Sequence, residues 1–362
     1  SDGGCPSLLL ENSSTNLITY SEDFSNAYWS TARIETPYIA DTISPDGTLN
    51  AYTLEISSGE TGGGGVYKSL SVVGDNSISV FAKKSTVDYL VLADTGLDSS
   101  RNAVYFNLEN GTVATEYNAV GKMQDFGNGW YRCTMKYTLT SFGNKFIYMT
   151  NIDGSTSNAV QGGDSIYIYG AQVEQNSYAT SYIKTVGTTQ SRSADTANGA
   201  GNSTVINSSE GTLYAEISAL ANDVSGQYLS VSNSGNYQIR IGFLNGALYV
   251  QIRINGSVIY SHSEVSTLTD TNKIAVSWTN NTQKVYVNGS LVNSGTNSTI
   301  IPTGTLSSSS FTSGDTIPQG FFYGKAKSVQ VYTTALSDIE IEKLTSYTSF
   351  TAMANALNYT II

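Results

Sequence analysis

The chain has 362 residues, which is long for one ordinary domain, so we expect two domains. Only 13% of the residues are Asp, Glu, Lys or Arg, so Ser, Thr, Asn and Gly must supply most of the polar surface. The net charge of −11, without any Lys/Arg cluster, argues against a nucleic acid partner and against an anionic membrane, whereas neutral sugars remain compatible.

Cys5 and Cys133 are the whole cysteine content. They could form one bridge, but two cysteines make neither a disulfide framework nor a zinc site. The alternating pattern around Cys133 favours a buried free thiol. No apolar run is long enough to span a membrane, so we expect no membrane insertion. The chain begins at Ser1 with no signal peptide, which is typical of a mature or excised piece with parts missing upstream.

The first half consists of segments that alternate apolar and polar residues, as β-strands do. The predicted strands are residues 78–82, 89–92, 104–108, 130–137, 146–149 and 166–169. Asn110-Gly111 separates two apolar runs and predicts a type I′ hairpin turn, in which both central residues have positive φ. Residues 191–210 then lose all periodicity and are rich in Ser, Ala, Asn and Gly, which indicates a linker.

The second half shows the same period more clearly. The predicted strands are residues 212–217, 228–231, 237–243, 247–254, 257–260, 274–278 and 284–287, separated by Asn-Gly and Asn-Asn turns at 245, 255, 280 and 288. Residues 294–310 read as a Ser/Thr-rich surface loop. One helix follows, with Ser337 as its N-cap, Glu340 at the capping-box position, and Ile341 and Leu344 on one face.

These elements predict an all-β chain of two antiparallel β-sandwich domains in tandem, residues 1–195 and 196–362, with one short C-terminal helix. The apolar segment 350–362 is expected to dock on a neighbouring subunit or to cap its own domain.

The sequence offers little for catalysis, so we expect no enzymatic activity. His262 is the only histidine, it lies in a polar run, and nothing marks a nucleophile beside it. Residues 338–342 carry three carboxylates, but on a helix these diverge and cannot act as the pair of a glycosidase. The four glycines at 62–65 lack the Lys-Ser/Thr of a phosphate-binding loop.

Several motifs of the first half resemble those of a jelly-roll carbohydrate-binding module that recurs in bacteriophage tail and head fibre proteins and in some secreted polysaccharide-degrading enzymes. They are residues 16–24 (NLITYSEDF), Trp29, and residues 44–47 (SPDG), 127–133 (GNGWYRC), 168–174 (IYGAQVE) and 180–183 (TSYI). In the second half, residues 210–216, 285–289 and 331–341 resemble a laminin-G/concanavalin A-like sandwich.

The resemblance implies a carbohydrate-binding protein on a virion surface or outside the cell, with a polysaccharide or cell-surface glycan as partner. It also implies a homo-oligomer, expected to be a trimer, or attachment to other virion proteins. Two alternatives remain open: the ancillary modules of a secreted polysaccharide-degrading enzyme, and a purely structural capsid or tail decoration. Modules of this kind often hold a structural Ca²⁺, for which Glu22, Asp46 and Asp164 occupy the corresponding places.

Sugar binding requires aromatic faces that stack on sugar rings. Trp29, with Tyr28 beside it, is the first candidate, and packing of Trp29 in the core is the alternative. Trp130 is a further candidate, although its place at the start of a strand favours core or rim packing. Trp278 alternates with Val276 and Ile274, which predicts a core position.

Overall fold

The structure is a computed structural model that describes residues 6–94, 102–139, 143–157, 160–233, 235–296, 301–315 and 320–346. Its contacts divide the chain into two units. Residues 13–193 form one unit, which we call the inserted unit. Residues 1–12 and 194–362 form the other, which we call the split unit. The predicted first domain, residues 1–195, is thus corrected at its start, because the described residues 6–12 belong to the other unit.

The chain folds into strands that are almost all short. Up to the unit boundary they are β1 (Leu8–Leu10), β2 (Ser14–Asn16), β3 (Ser30–Ala32), β4 (Tyr38–Ile39), β5 (Tyr52–Glu55), β6 (Gly64–Leu70), β7 (Gly74–Lys84), β8 (Tyr89–Asp94), β9 (Asn102–Asn107), β10 (Thr112–Tyr117), β11 (Val120–Gly127), β12 (Trp130–Leu139), β13 (Gly143–Thr150), β14 (Ser165–Glu174) and β15 (Gln190–Arg192).

The remaining elements follow from residue 198 onward. They are β16 (Asn198–Ala200), β17 (Gly211–Ala219), β18 (Gln227–Asn233), β19 (Tyr237–Leu244), β20 (Ala247–Ile254), β21 (Ser257–Glu264), β22 (Asn272–Trp278), β23 (Thr282–Val287), β24 (Ser290–Thr296), β25 (Ser308–Ser310), β26 (Gly324–Tyr332) and α1 (Asp338–Ser346).

The inserted unit contains two six-stranded antiparallel sheets. The first sheet has the strand order β10-β9-β8-β13-β6-β3, and the second has the order β11-β12-β7-β14-β5-β4. Alternate side chains of both sheets meet in one core, such as Leu90 and Phe106 of the first sheet and Val80 and Met135 of the second. Cys133 is a free thiol buried in this core, as predicted, whereas Cys5 lies outside the described residues.

The hairpin between β9 and β10 forms as predicted, but with a different turn. Gly111 has positive φ, whereas Asn110 does not, so the turn is not of type I′. The strands end at Asn107 and begin again at Thr112, and the Gly111 N–H donates to the Asn107 carbonyl. A loop of this length places only its last residue in the left-handed region, which glycine adopts without strain.

The split unit also contains two six-stranded sheets, with the orders β1-β26-β17-β22-β23-β24 and β16-β25-β18-β19-β20-β21. The all-β sandwich architecture predicted from the sequence is confirmed. The first strand, β1, pairs antiparallel with β26, so that Leu8 faces Ala326 and Leu10 faces Gly324. Nothing in three consecutive leucines indicates a partner this far along the chain, which is why the sequence placed them in the wrong domain.

The local signals of the split unit are largely confirmed. Asn245, Asn255 and Asn288 have positive φ, as do the glycines that follow them, so these three hairpins turn as predicted. The capping box of α1 is reciprocal: the Ser337 N–H donates to Glu340 Oε2 at 2.8 Å, and the Glu340 N–H lies 3.4 Å from Ser337 Oγ. Two predicted irregular stretches are partly wrong. The predicted linker, residues 191–210, contains β16 and most of β15. The predicted surface loop, residues 294–310, contains β25 and the end of β24.

Candidate functional site

Trp29 is buried in the core of the inserted unit, with 6% of its surface exposed. Its indole N–H donates to the Tyr20 carbonyl at 3.0 Å, and its ring packs 5.3 Å from Phe24 and 5.4 Å from Tyr28, centroid to centroid. A ring enclosed in this way has no free face on which a sugar could stack. The expected stacking role of Trp29 is therefore corrected to core packing, the alternative left open by the sequence.

Tyr28 is half-buried, and one face of its ring is already occupied. The Lys68 ammonium lies 4.1 Å from the ring centroid and also donates to the Tyr28 carbonyl at 3.0 Å. This cation–π contact uses the electron-rich face that would otherwise meet a ligand. Tyr28 thus gives no open platform beside Trp29.

Trp130 lies on the outward face of the second sheet but is 2% exposed. It packs in a cluster with Phe81, Tyr169, Ala40 and Ala51, and its indole N–H donates to the Ile43 carbonyl at 2.8 Å. The chain between β4 and β5 thus covers this ring. The expected sugar contact of Trp130 is corrected to packing beneath that loop, whereas Trp278 is buried as predicted, with its N–H on the Ser208 carbonyl.

Two of the three carboxylates predicted as calcium ligands come together. The Tyr169 hydroxyl lies 2.7 Å from Glu22 Oε1 and 2.9 Å from Asp46 Oδ2. Asp46 accepts further hydrogen bonds from Ser44, Thr48 and Asn50, which lower the pKa of its carboxyl against the opposing effect of burial.

Asp164 does not join them. It precedes β14, and its carboxylate accepts a hydrogen bond from the Gln161 N–H. Four residues of the strand separate it from Tyr169. Glu22 is also paired with the Lys184 ammonium. Carboxylates satisfied by hydroxyl, amide and ammonium donors do not fit a cation site. Among the residues the structure describes, no group of three or more His, Cys, Asp or Glu could hold a metal ion. Calcium binding therefore stays a prediction, and the described residues do not form a set of ligands for it.

The outward face of the first sheet carries a set of aromatic rings that the sequence analysis did not single out. We call it the aromatic face: Tyr67, Tyr89, Tyr105, Tyr117, Phe146 and Tyr148. Tyr105 and Tyr148 are buried, whereas the other four remain partly exposed. The rings contact one another, with centroids 5.4 Å apart for Tyr67 and Phe146, 5.2 Å for Phe146 and Tyr148, and 6.2 Å for Tyr105 and Tyr117.

Strand register arranges these rings in rows across the sheet. In one row Tyr117 faces Ala103, which faces Ala93, and the row continues through Phe146 to Tyr67. Four inter-strand spacings separate Tyr117 from Tyr67, a span of about 19 Å. Ala93 and Ala103 in the middle of the row are fully buried, whereas the aromatic rings towards both of its ends remain partly exposed.

A second row brings small residues and polar groups to the same face. Tyr105 faces Val91, which faces Tyr148, which faces Gly65. A Cβ at Gly65 would lie 2.1 Å from the Ile147 carbonyl oxygen, so only glycine fits this position. Burial raises the pKa of Tyr148 to about 12, and the nearby charge of Arg33 opposes that rise. Arg33 is half-exposed, so it supplies a cationic group close to the rings.

A weak signal for this face was present in the sequence. β8 reads Tyr-Leu-Val-Leu-Ala-Asp, apolar at nearly every position, where a strand with one solvated face would alternate. Such a run indicates that both faces of the strand are covered or apolar. The aromatic residues themselves lie on five strands, and only the register brings them together.

The split unit shows no comparable array of rings among its described residues. The outward face of its second sheet is polar: Gln238 and Arg253 bind the Asp315 carboxylate, and Arg240 lies 4.2 Å over the Tyr228 ring. The other polar groups considered in the sequence lie apart from that face: His262 is on the edge strand β21, where it is hydrogen-bonded to Glu264 at 3.0 Å. The carboxylates of residues 338–342 lie at the start of α1, as predicted. The one helix described, α1, is too short to span a membrane.

Part of the chain matches a known protein-family model. Residues 193–342 match the Laminin_G_3 family model, described as the concanavalin A-like lectin/glucanases superfamily. This agrees with the resemblance noted for the second half of the sequence. A search of curated proteins returned no match.

Solved structures give distant similarities. A native heptameric SAP-like pentraxin from Limulus polyphemus is 16% identical, with 42% of this chain and 76% of that chain covered at a TM-score of 0.35. The Ruminococcus gnavus IT-sialidase CBM40 bound to α2,3 sialyllactose is 20% identical, with 41% of this chain and 94% of that chain covered at a TM-score of 0.35. Domain 4 of the Geobacillus stearothermophilus arabinanase AbnA in complex with arabinotriose is 18% identical, with 47% of this chain and 80% of that chain covered at a TM-score of 0.33.

Proposed function

We propose that this protein is a carbohydrate-binding protein without catalytic activity, and that the aromatic face of the inserted unit is where the glycan lies. The observation that carries the proposal is the row from Tyr117 to Phe146 and Tyr67, with alanines between the rings. The outward face of a sandwich sheet is normally polar, whereas this one carries aromatic rings, four of which remain partly exposed. Apolar surface that stays accessible in this way is typical of a binding surface.

The chemistry of the aromatic face suits a sugar chain. Aromatic rings stack on the apolar faces of pyranose rings, and phenol hydroxyls exchange hydrogen bonds with sugar hydroxyls. Five of the six rings are tyrosines, which offer both kinds of contact. The net charge of −11 repels polyanions at long range, so a neutral polysaccharide is the favoured ligand.

We further propose that the protein acts on a virion surface or otherwise outside the cell, as an oligomer, with a trimer expected. This part rests on the resemblance of residues 16–24, 127–133 and 168–174 to modules of bacteriophage fibre proteins. The second candidate is a set of ancillary modules from a secreted polysaccharide-degrading enzyme, which the match to a lectin and glucanase superfamily supports equally. Neighbouring genes for capsid and portal proteins, or for sugar hydrolases and transporters, would separate the two.

Affinity electrophoresis of the whole chain in gels containing bacterial surface or algal polysaccharides tests the binding proposal. We expect one polymer to retard the protein and to remain intact, and the double variant Tyr67→Ala/Phe146→Ala to migrate freely. Tyr38→Ala is the matched control, because Tyr38 is a half-exposed tyrosine of the other sheet and its loss should leave retardation unchanged. Retardation that survives the double variant would locate the site elsewhere, and release of reducing or unsaturated ends would contradict the non-enzymatic role.

A further inference from the structure

Two oppositely charged side chains are buried together inside the inserted unit. Lys145 of β13 is 1% exposed and Asp94 of β8 is fully buried. The two residues face each other across neighbouring antiparallel strands, and the Lys145 ammonium nitrogen is in direct contact with Asp94 Oδ2. Lys and Asp side chains are almost never buried this completely unless they are paired, as they are here.

The buried environment favours the neutral form of both groups. Removing a charge from water costs free energy that the mutual attraction of a buried pair does not always repay. Burial accordingly raises the pKa of Asp94 and lowers the pKa of Lys145, although their contact opposes both shifts. A proton that passes from the ammonium to the carboxylate leaves an amine beside a carboxylic acid. These are the nucleophilic and electrophilic forms of the two groups.

A third buried residue lies at the same place. Tyr137, on β12 of the facing sheet, is 3% exposed, and Lys145 Nζ lies 5.9 Å from its ring centroid. Burial, followed by the charge and hydrogen bonding of Asp94, raises the pKa of the Tyr137 phenol. The phenol therefore stays protonated and can donate its hydrogen to the Asp94 carboxyl group.

We propose that Lys145 and Asp94 condense to form an intramolecular amide cross-link. The lone pair of the neutral Lys145 Nζ attacks the Asp94 Cγ, which forms the N–C bond of a tetrahedral intermediate. The carboxyl hydroxyl then leaves with a proton donated through Tyr137, the phenol is reprotonated from the nitrogen, and one water molecule is released. The reaction is a condensation, so no oxidant, reductant or cofactor is required.

The position of the pair supplies what this condensation requires. Fixed contact between two reactants replaces a collision in solution, an advantage that reaches an effective concentration of about 10⁵–10⁸ M in well-oriented systems. The core also excludes the water that would protonate the amine and reverse the reaction. The exposed pair Lys84 and Asp88 has nitrogen and oxygen 2.8 Å apart but lies in solvent, where it remains an ion pair.

The cross-link would join the two central strands of the sheet that carries the aromatic face. Ala93 and Phe146 belong to the row of rings described above. Asp94 directly follows Ala93 in the chain, and Lys145 directly precedes Phe146. A covalent bond at this point fixes the register on which that row depends.

The test is the intact mass of the full-length folded protein, measured under denaturing conditions. We expect a mass lower than that of the sequence by one water molecule, and a branched peptide that joins the segments around Asp94 and Lys145 in a proteolytic map. Lys84 should appear in an unbranched peptide of the same map. A cooperatively folded protein with the full sequence mass would overturn the proposal.

Variants locate the bond. Lys145→Arg should restore the full sequence mass, and a water deficit that persists in it would contradict the assignment. Should that variant fold poorly, the double variant Lys145→Met/Asp94→Leu replaces the pair with apolar groups and should fold with full mass. Tyr137→Phe should slow the appearance of the linked form when freshly synthesised, still unlinked protein is allowed to fold and its mass is followed over time. An unchanged rate would rule out the proton-donating role of Tyr137.

Discussion

The inserted unit has two outward sheet faces, both rich in aromatic residues, and they differ in what covers them. On the second sheet, Trp130, Phe81 and Tyr169 lie beneath the chain between β4 and β5 and beside Tyr182. On the first sheet, the rings of Tyr67, Tyr89, Tyr117 and Phe146 remain partly exposed. The same residue types are thus enclosed on one face and remain partly exposed on the other, because the chain between β4 and β5 covers the rings of the second sheet.

The largest expected effect is a loss of stability when a ring of the covered face is removed. Trp130→Ala should lower the free energy of unfolding by about 3–5 kcal/mol, because it removes a buried ring and leaves a cavity. Chemical denaturation measures this loss, and polysaccharide retardation of the folded variant should persist. Loss of retardation in a folded Trp130→Ala protein would assign binding to the covered face instead.

Alkaline pH should act on the aromatic face through Tyr148. Its pKa of about 12 lies above the ordinary value of 10, so the unfolded chain loses this proton first and stability falls as pH rises from 10 towards 12. A shift of this size corresponds to roughly 3 kcal/mol at most. Tyr148→Phe should reduce the loss of stability across that range. Identical denaturation curves for the two proteins at pH 9 and pH 11.5 would contradict the role of Tyr148.

Gly65 tests whether close strand packing supports the aromatic face. Gly65→Ala places a methyl group against the Ile147 carbonyl, and the resulting strain should lower stability by about 1–3 kcal/mol. Gly47→Ala is a useful control, since a Cβ there meets no neighbour, although its positive φ adds some strain of its own. Equal melting temperatures for Gly65→Ala and the parent protein would show that the strands can separate at little cost.

The smallest effect is expected from a single partly exposed ring. Tyr67→Ala should weaken polysaccharide binding by about 0.5–1.5 kcal/mol, the usual value of one aromatic contact, with little change in stability. The concentration of polymer that halves the gel mobility measures this directly. A larger loss of stability than of affinity would mean that the ring serves packing, as Trp130 does.

The sequence predicted the parts of the fold whose signals are local. Strands with strong alternation, the three Asn-Gly turns of the split unit and the capped helix were all recognisable because each depends on neighbouring residues. β11 was missed because it is an edge strand with mostly exposed residues, and its apolar signal is weak. β1 was misplaced because its partner strand lies at the other end of the chain.

The candidate site was largely hidden from the sequence for the same reason. Tryptophans attract attention as sugar platforms, yet Trp29 and Trp130 are both buried. Tyr67, Tyr105 and Phe146 are about forty residues apart from one to the next, and they become one surface only through the register of β6, β9 and β13. A cross-strand row has no signature in the order of residues along the chain.

The pairing of β1 with β26 has a consequence for synthesis on the ribosome. β1, which completes an edge of the split unit, emerges before the inserted unit, whereas β26 emerges only after it. Since domains generally fold as they emerge, the inserted unit can fold while Leu8–Leu10 still waits for its partner. The leucines of β1 therefore stay available for wrong pairings until β26 has emerged, and the sheet edge that they complete closes only after the inserted unit has been synthesised.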